Sequence, residues 1–178
     1  MQIKHPEPYA KGYELLVSRD GPNADMLMDY AHLSIQAGES WRSSSAHERK
    51  GAEGSGERTK NDGPSINDER AFLLARGTVE FTWKLEGSSQ PGGNNAQGEA
   101  HIGRATASRS NLFDESPAVL SVPAGVEVEI RALPDNGNRH GDGAELYVMA
   151  TANPRYFEPR FYTPEECRSE ERGKGTMN

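Results

Sequence analysis

Strict alternation of apolar and polar residues is the feature of this sequence that most limits its fold. The alternation covers residues 78–85, 126–131 and 144–151. Successive side chains of an extended chain point to opposite faces, so each segment has one apolar and one polar face. No stretch beyond about ten residues repeats apolar positions with the period of an α-helix. The pattern therefore predicts β-strands that bury one face.

Three shorter apolar segments, at 27–35, 71–75 and 119–122, predict further strands. Turn-forming sequences stand between the predicted strands, at Ala37-Gly38, Arg76-Gly77, Pro123-Ala124-Gly125 and Pro134-Asp135-Asn136-Gly137. Short strands separated by glycine and proline turns are typical of antiparallel sandwiches and barrels. The 178 residues also suit one domain. The sequence thus predicts a single all-β domain over residues 1–178.

Two polar segments, 43–68 and 87–100, interrupt this pattern. The first has 26 residues, of which three are apolar, and the second centres on the glycine-rich residues 91–95. Such segments bury too little apolar surface to offset the entropy lost on ordering. We predict two surface loops inserted into the sheet, with lids over a pocket as the alternative.

The charge and the cysteine content exclude several classes of function. The formal net charge is -7 and the pI is near 5.3, whereas a general nucleic-acid binder needs a basic surface. No apolar run reaches the roughly 18 residues that cross a bilayer, and residues 1–10 do not resemble a secretory signal. Cys167 stands alone, which excludes a disulfide framework. We therefore expect a cytoplasmic protein that binds neither nucleic acid nor membranes.

Aromatic residues and prolines mark the C-terminal region. The aromatic residues are Tyr156, Phe157, Phe161 and Tyr162. Prolines among them are typical of an extended segment that packs across a sheet, with a contact surface for a second subunit as the alternative. Residues 163–166 then combine a threonine cap, a proline and two acidic residues, as at the start of a helix. They predict a short C-terminal helical turn.

Several segments resemble the cupin family. Residues 33–41 resemble the strand and turn that open a cupin barrel, and residues 69–77 resemble its next strand. Residues 119–125 resemble a later cupin motif, in which a Pro-x-Gly turn enters a strand. The order of segments narrows the resemblance further. Arg109-Ser-Asn-Leu-Phe113, then Pro117 and the Pro-x-Gly turn, is similar to the 5-deoxy-glucuronate isomerase family of inositol catabolism, which is related to the 4-deoxy-uronate isomerases.

This resemblance implies a fold and a reaction. The fold is a single cupin-type jelly-roll barrel, and the reaction is the aldose–ketose isomerisation of a carbohydrate acid. Members of the family carry two such barrels, and the chain resembles the first. The metal-binding residues are expected in the second barrel, which a separate chain or a part of the protein omitted from this sequence would supply. The resemblance also implies a homodimer. The alternatives are a degenerate cupin that binds a sugar acid without turnover, and a partner or assembly subunit.

A cupin metal site needs two histidines one residue apart on a strand, a glutamate and a third histidine. The positions of the histidine pair hold Ser44 and Ala46, and His47 is one step out of register. A shift of one residue reverses the face of a strand. The third histidine position holds Val128. We therefore predict no metal ion and no other cofactor.

Isomerisation through an enediol needs a base, an acid and a cation near the developing oxyanion. By residue type, Glu69 and His47 are the candidate catalytic groups. Arg70 and Arg109 are the candidate substrate-binding residues, because a guanidinium binds a carboxylate with two parallel hydrogen bonds. The alternative for Glu69 is a solvated strand start, and that for Arg109 is a salt bridge at a strand end. Whether the protein is an enzyme stays open at this point.

Overall fold

The structure is a computed structural model that describes residues 12–19, 27–43, 63–85, 101–134 and 143–167. Within these ranges the chain forms β-strands and no helix. The strands are β1 (Gly12–Val17), β2 (Asp29–Gln36), β3 (Ser40–Arg42), β4 (Glu69–Leu85), β5 (His101–Arg109), β6 (Val119–Val122), β7 (Glu127–Ala132), β8 (Gly143–Thr151) and β9 (Arg160–Tyr162). None of the described residues lies in a helix long and apolar enough to cross a membrane.

Strand β4 belongs to two antiparallel sheets. Its first part, residues 69–76, pairs with β8 and β6 in the order β1-β2-β8-β4-β6-β9, which we call the first sheet. Its second part, residues 77–85, pairs with β5 and β7 in the order β3-β7-β4-β5, which we call the second sheet. The strand passes from one sheet to the other at Gly77, whose φ of 97° lies in the left-handed region.

The sequence interpretation of Arg76-Gly77 as a turn between two strands is therefore wrong. A register shift between Leu74 and Arg76 and the positive φ of Gly77 bend the chain without reversing it. Apolar segments 71–75 and 78–85 are parts of one 17-residue strand. Glycine permits the bend because it adopts a positive φ without steric cost.

The inner faces of both sheets meet in one hydrophobic core. The largest apolar side chains that are fully buried are Phe72, Phe81, Leu33, Leu74, Leu120, Ile130 and Leu146. They come from β2, β4, β6, β7 and β8. In β7 and β8 the buried residues alternate with more exposed ones, as the sequence predicted. The described space between the sheets is therefore filled mainly by apolar side chains, with Arg70 buried on the same face at one end.

The ends of the two polar segments and the C-terminal turn complete the described part of the chain. Residues 44–62 and 86–100 lie outside the described residues, so the predicted loops are seen at their ends alone, where β4 ends at Leu85 and β5 begins at His101. The predicted C-terminal turn is present as a hydrogen-bonded turn. Glu166 N donates to Thr163 O at 3.1 Å, and Thr163 N donates to the Glu166 carboxylate at 2.9 Å.

Candidate functional site

Charged side chains are buried at one end of the first sheet. The strand register places Asp29 of β2 and Arg70 of β4 on either side of Ala150 in β8. Asp29 is 1% exposed, Arg70 is 0% exposed and Asp68 is 4% exposed. A buried charge is costly unless it is paired and hydrogen-bonded. We call Arg19, Asp29, Asp68 and Arg70 the Arg70 cluster.

Arg19 joins the two carboxylates of this cluster. Its Nη2 donates to both oxygens of Asp68, at 2.8 and 2.7 Å. Its main-chain N–H donates to Asp29 Oδ1 at 2.8 Å, and its Nε lies 3.8 Å from Asp29 Oδ2. Arg19, two residues beyond the end of β1, is thus bound to the start of β2 and to the loop before β4.

Arg70 donates to main-chain carbonyls at the same end of the sheet. Its Nε donates to Asp68 O at 3.2 Å, and its Nη2 donates to Val126 O. Its Nη1 is buried and has no hydrogen-bond partner among the described residues. Burial lowers the pKa of Arg70 to about 10, against the opposing effect of Asp68, so the guanidinium stays charged at neutral pH. Arg70 therefore ties the loop before β4 to the turn before β7.

Glu69 and Arg70 point to opposite faces of β4. Arg70 shares the inner face with Phe72, whereas Glu69 is half-buried on the outer face and lies opposite Thr151. The Glu69 carboxylate accepts a hydrogen bond of 2.6 Å from Asn153 Nδ2. Neighbouring residues of a strand cannot act on one ligand from the same face. The structure thus separates this candidate base from the adjacent candidate arginine.

Arg109 lies far from Arg70 along β4. It pairs with Gly77, seven residues from Arg70, which corresponds to roughly 20 Å along the strand. Its Nη1 donates to Leu74 O at 2.9 Å, and its Nε donates to Glu115 O at 3.0 Å. Its Nη2 donates to Leu112 O at 2.9 Å and to Glu115 O at 2.6 Å. The guanidinium holds residues 110–116 against β4.

The sequence-predicted site residues therefore do not converge within the described part of the chain. Glu69, Arg70 and Arg109 occupy three separate environments, and His47 lies outside the described residues. Their catalytic and binding roles stay predictions. Sequence reasoning missed the buried carboxylates Asp29 and Asp68. The available signal was an aspartate at the head of an apolar strand, which is a costly place for a charge without a partner.

The position of the third cupin histidine is part of the core. Val128 is 2% exposed, and its main chain is hydrogen-bonded to Ser43. Within the described ranges, no three His, Cys, Asp or Glu side chains gather as they would around a metal ion. The described residues do not fit the cupin metal.

The outer face of the first sheet carries a second polar cluster. His32 is 1% exposed, and its ring packs edge-on against Tyr147. His32 Nε2 lies 3.9 Å from Glu145 Oε2, which is longer than a hydrogen bond, whereas Arg76 Nη2 lies 2.6 Å from Glu145 Oε1. The contacts with His32 and Arg76 lower the pKa of Glu145 below its usual 4.5, although partial burial acts in the opposite direction.

The variant Glu145→Gln should lose about 0.5–1 kcal/mol of unfolding free energy at pH 7, because Glu145 is partly exposed and its ion pairs are screened. A carboxyl whose pKa is lowered by folding contributes stability above its unfolded pKa and loses it at lower pH. The difference between wild type and variant should therefore shrink as the pH falls below 4.5. Urea titrations across the pH range test this. A difference in unfolding free energy that stays constant down to acid pH would contradict the prediction. The control is Glu127→Gln, which removes an exposed carboxylate of β7.

A surface groove of about 390 Å³ lies on the outer face of the second sheet. Its lining residues are Gly38, Ser40, Glu80, Thr82, Arg104, Glu129 and Arg131. Two guanidinium groups can bind a carboxylate, and the hydroxyl and carboxylate groups can bind sugar hydroxyls. The groove therefore carries groups of the kinds that bind a small carbohydrate acid.

Comparison with known proteins identifies the family to which the chain belongs. The family model that describes the KduI/IolB family matches residues 4–178. The chain belongs to the KduI/IolB family. That family includes 4-deoxy-L-threo-5-hexosulose-uronate isomerases and 5-deoxy-glucuronate isomerases, so the resemblance seen in the sequence is confirmed. No curated protein matches the chain significantly.

One solved structure agrees with this membership at the level of the fold. An IolB-like protein of Salmonella typhimurium LT2 has a TM-score of 0.59 and 18% sequence identity, and the match covers 94% of this chain and 47% of that chain. The chain thus spans about half the length of this KduI/IolB relative. Tomato vicilin has a TM-score of 0.42 and 11% identity, over 86% of this chain and 32% of that chain. The fold is all-β and of the cupin type, as predicted.

Proposed function

We propose that this chain contributes one cupin domain to an isomerase of the inositol or uronate catabolic type. The reaction would be the aldose–ketose isomerisation of a carbohydrate acid in the cytoplasm, with 5-deoxy-glucuronate as the first substrate to test. The observation that carries the proposal is the family match over nearly the whole chain. The similarity to about half of an IolB-like protein supports the idea that a second domain completes the enzyme.

The interior of the domain supports a division of labour between two barrels. Phe72, Phe81 and Leu120 are fully buried between the sheets, and Val128 occupies the position of a cupin histidine. A metal-bearing barrel, on another polypeptide or in a part of the protein outside this sequence, would then supply the reacting groups. We infer that Arg70 and Arg109 serve this domain as scaffold residues, because their described hydrogen bonds go to main-chain carbonyls.

A second candidate function is the binding of a sugar acid without turnover. The groove beside Arg104 and Arg131 favours it, since both cations stand near hydroxyl and carboxylate acceptors. In that case glucuronate should raise the melting temperature of the chain alone. The variant Arg131→Gln should remove the shift, whereas Arg155→Gln, an exposed arginine outside the groove, should keep it.

The isomerase proposal is tested by following 5-deoxy-glucuronate with ¹H NMR. The purified chain alone, with or without added Zn²⁺ or Mn²⁺, should leave the substrate unchanged. A mixture with a second-barrel polypeptide of the KduI/IolB type should form the ketose. Inactivity of the mixture under conditions where both chains are folded would reject the proposal, and a thermal shift with glucuronate would then support the binding function. Turnover by the chain alone would reject the division of labour.

A further inference from the structure

Strand β5 is the longest sheet edge among the described strands. Among the described strands, the edges are β1 and β9 in the first sheet and β3 and β5 in the second. An unpaired edge offers its N–H and C=O groups to another strand, so proteins shorten or distort their edges. Strands β3 and β9 have three residues each, and β1 has a register shift after Leu15. Strand β5 has nine residues, and its register with β4 is regular.

We propose that β5 pairs antiparallel with β5 of a second copy of this chain. The two-fold axis passes through Ala105, because this register pairs all nine residues. Gly103 then faces Ala107 of the second copy, and Arg104 faces Thr106 of the second copy. The two second sheets become one continuous sheet across the interface. Such an interface is isologous, as in most homodimers, and strand addition is a common way to satisfy a sheet edge.

The side chains of β5 fit this occupant. Gly103, Ala105 and Ala107 form the inner row, and the first two are half-buried, so a neighbouring strand meets no bulky group on that face. Trp83 lies against Gly103 so closely that a Cβ there would be 2.1 Å from its Cε2. The indole of Trp83 thus covers the inner face of β5 at Gly103.

The charges of β5 also suit self-pairing. In the outer row, Arg104 would face Thr106 of the second copy and would not face another cation. The two Arg104 residues would be diagonal neighbours, and each lines a groove with Glu80 and Glu129, whose carboxylates offset the like charges. A like charge directly opposite is unfavourable in a sheet, whereas a diagonal one is weaker. The pairing does not depend on the isomerase activity.

The variant Thr106→Lys tests this interface. Thr106 is exposed, so the substitution should leave the protomer folded, but it places a cation opposite Arg104 twice in the dimer. The dissociation constant of the dimer should rise about tenfold in sedimentation equilibrium. The control Ser40→Lys adds the same charge at the opposite edge of the second sheet and should leave the constant unchanged. The double variant Arg104→Glu/Thr106→Lys creates opposite charges across the axis and should restore dimerisation.

Hydrogen exchange distinguishes the proposed homodimer from pairing of the β5 edge with another segment or with a different partner. In the proposed dimer the β5 amides are protected, and dilution to the monomer exposes those that face away from β4. A chain that stays monomeric over the concentration series would overturn the proposal, as would a Thr106→Lys variant with an unchanged dissociation constant. Protection of all β5 amides in a monomer would assign the edge to another segment of the same chain. If the chain assembles only with a second-barrel polypeptide, the β5 edge would be the binding site of that partner. Either of these two results overturns the homodimer.

Discussion

Replacement of Arg109 by methionine should lower the free energy of unfolding by about 4 kcal/mol, the largest effect expected here. The guanidinium donates to the carbonyls of Leu74, Leu112 and Glu115, and Arg109 is 5% exposed. Methionine fills a similar volume but leaves these acceptors without their donor. A buried carbonyl that loses its partner costs much more than an average hydrogen bond contributes.

Urea denaturation and limited proteolysis measure this effect. Residues 110–116 should become the first site of cleavage, because Arg109 holds this loop to β4. The control Arg42→Met removes an arginine whose side chain is 73% exposed, and its ion pair with Glu129 should contribute within about 0.5 kcal/mol. If Arg109 binds substrate and has no structural role, Arg109→Met would keep its stability and would lose activity in the completed enzyme.

Replacement of Gly77 by alanine should cost about 3 kcal/mol of unfolding free energy. Two penalties combine at this position. The φ of 97° is unfavourable for any residue with a Cβ. The added methyl would also lie 2.5 Å from Gly143 O and 2.7 Å from Ala144 Cα in β8, both of which are main-chain atoms that cannot rotate away.

Gly38→Ala is the matched control for this prediction. Its φ of 82° carries a similar backbone penalty, but no atom lies within 4 Å of the added Cβ. The control should therefore cost about 1 kcal/mol. Thermal unfolding of both variants separates the backbone penalty from the clash. Equal losses in the two variants would show that the contact between Gly77 and β8 has no energetic consequence.

The alternation of apolar and polar residues was enough to predict most of the sheet. Residues 126–131 and 144–151 form strands β7 and β8 because one face of each meets the core, which is the physical origin of the pattern. A strand starting near His101 was also predicted, and β5 begins there, although its inner row of Gly103, Ala105 and Ala107 shows little contrast in hydrophobicity with its outer row. The continuity of β4 was missed, because Arg76-Gly77 has the composition of a turn and tertiary pairing decides whether the chain reverses.

The candidate site was less accessible to sequence reasoning. Side-chain chemistry suggested Glu69, Arg70 and Arg109 as site residues, but it does not show which acceptor a hydrogen-bond donor contacts in the fold. The carbonyls that accept hydrogen bonds from Arg109 belong to Leu74 and Leu112. Every residue has a main-chain carbonyl, so a sequence does not show which of them accept from a given arginine. The burial of Arg70 likewise depends on the register of β4 with β6 and β8, which places it between Val122 and Ala150.

A strand shared by two sheets makes the opening of one sheet inseparable from the opening of the other. Residues 69–76 anchor β6 and β8, and residues 77–85 anchor β5 and β7, so detaching β4 removes the central support of both. No subglobal opening can release the middle of β4 and leave half of the domain native. The amide protons around Gly77 should therefore exchange at the rate that global unfolding sets, and they would report the stability of the whole cooperative unit.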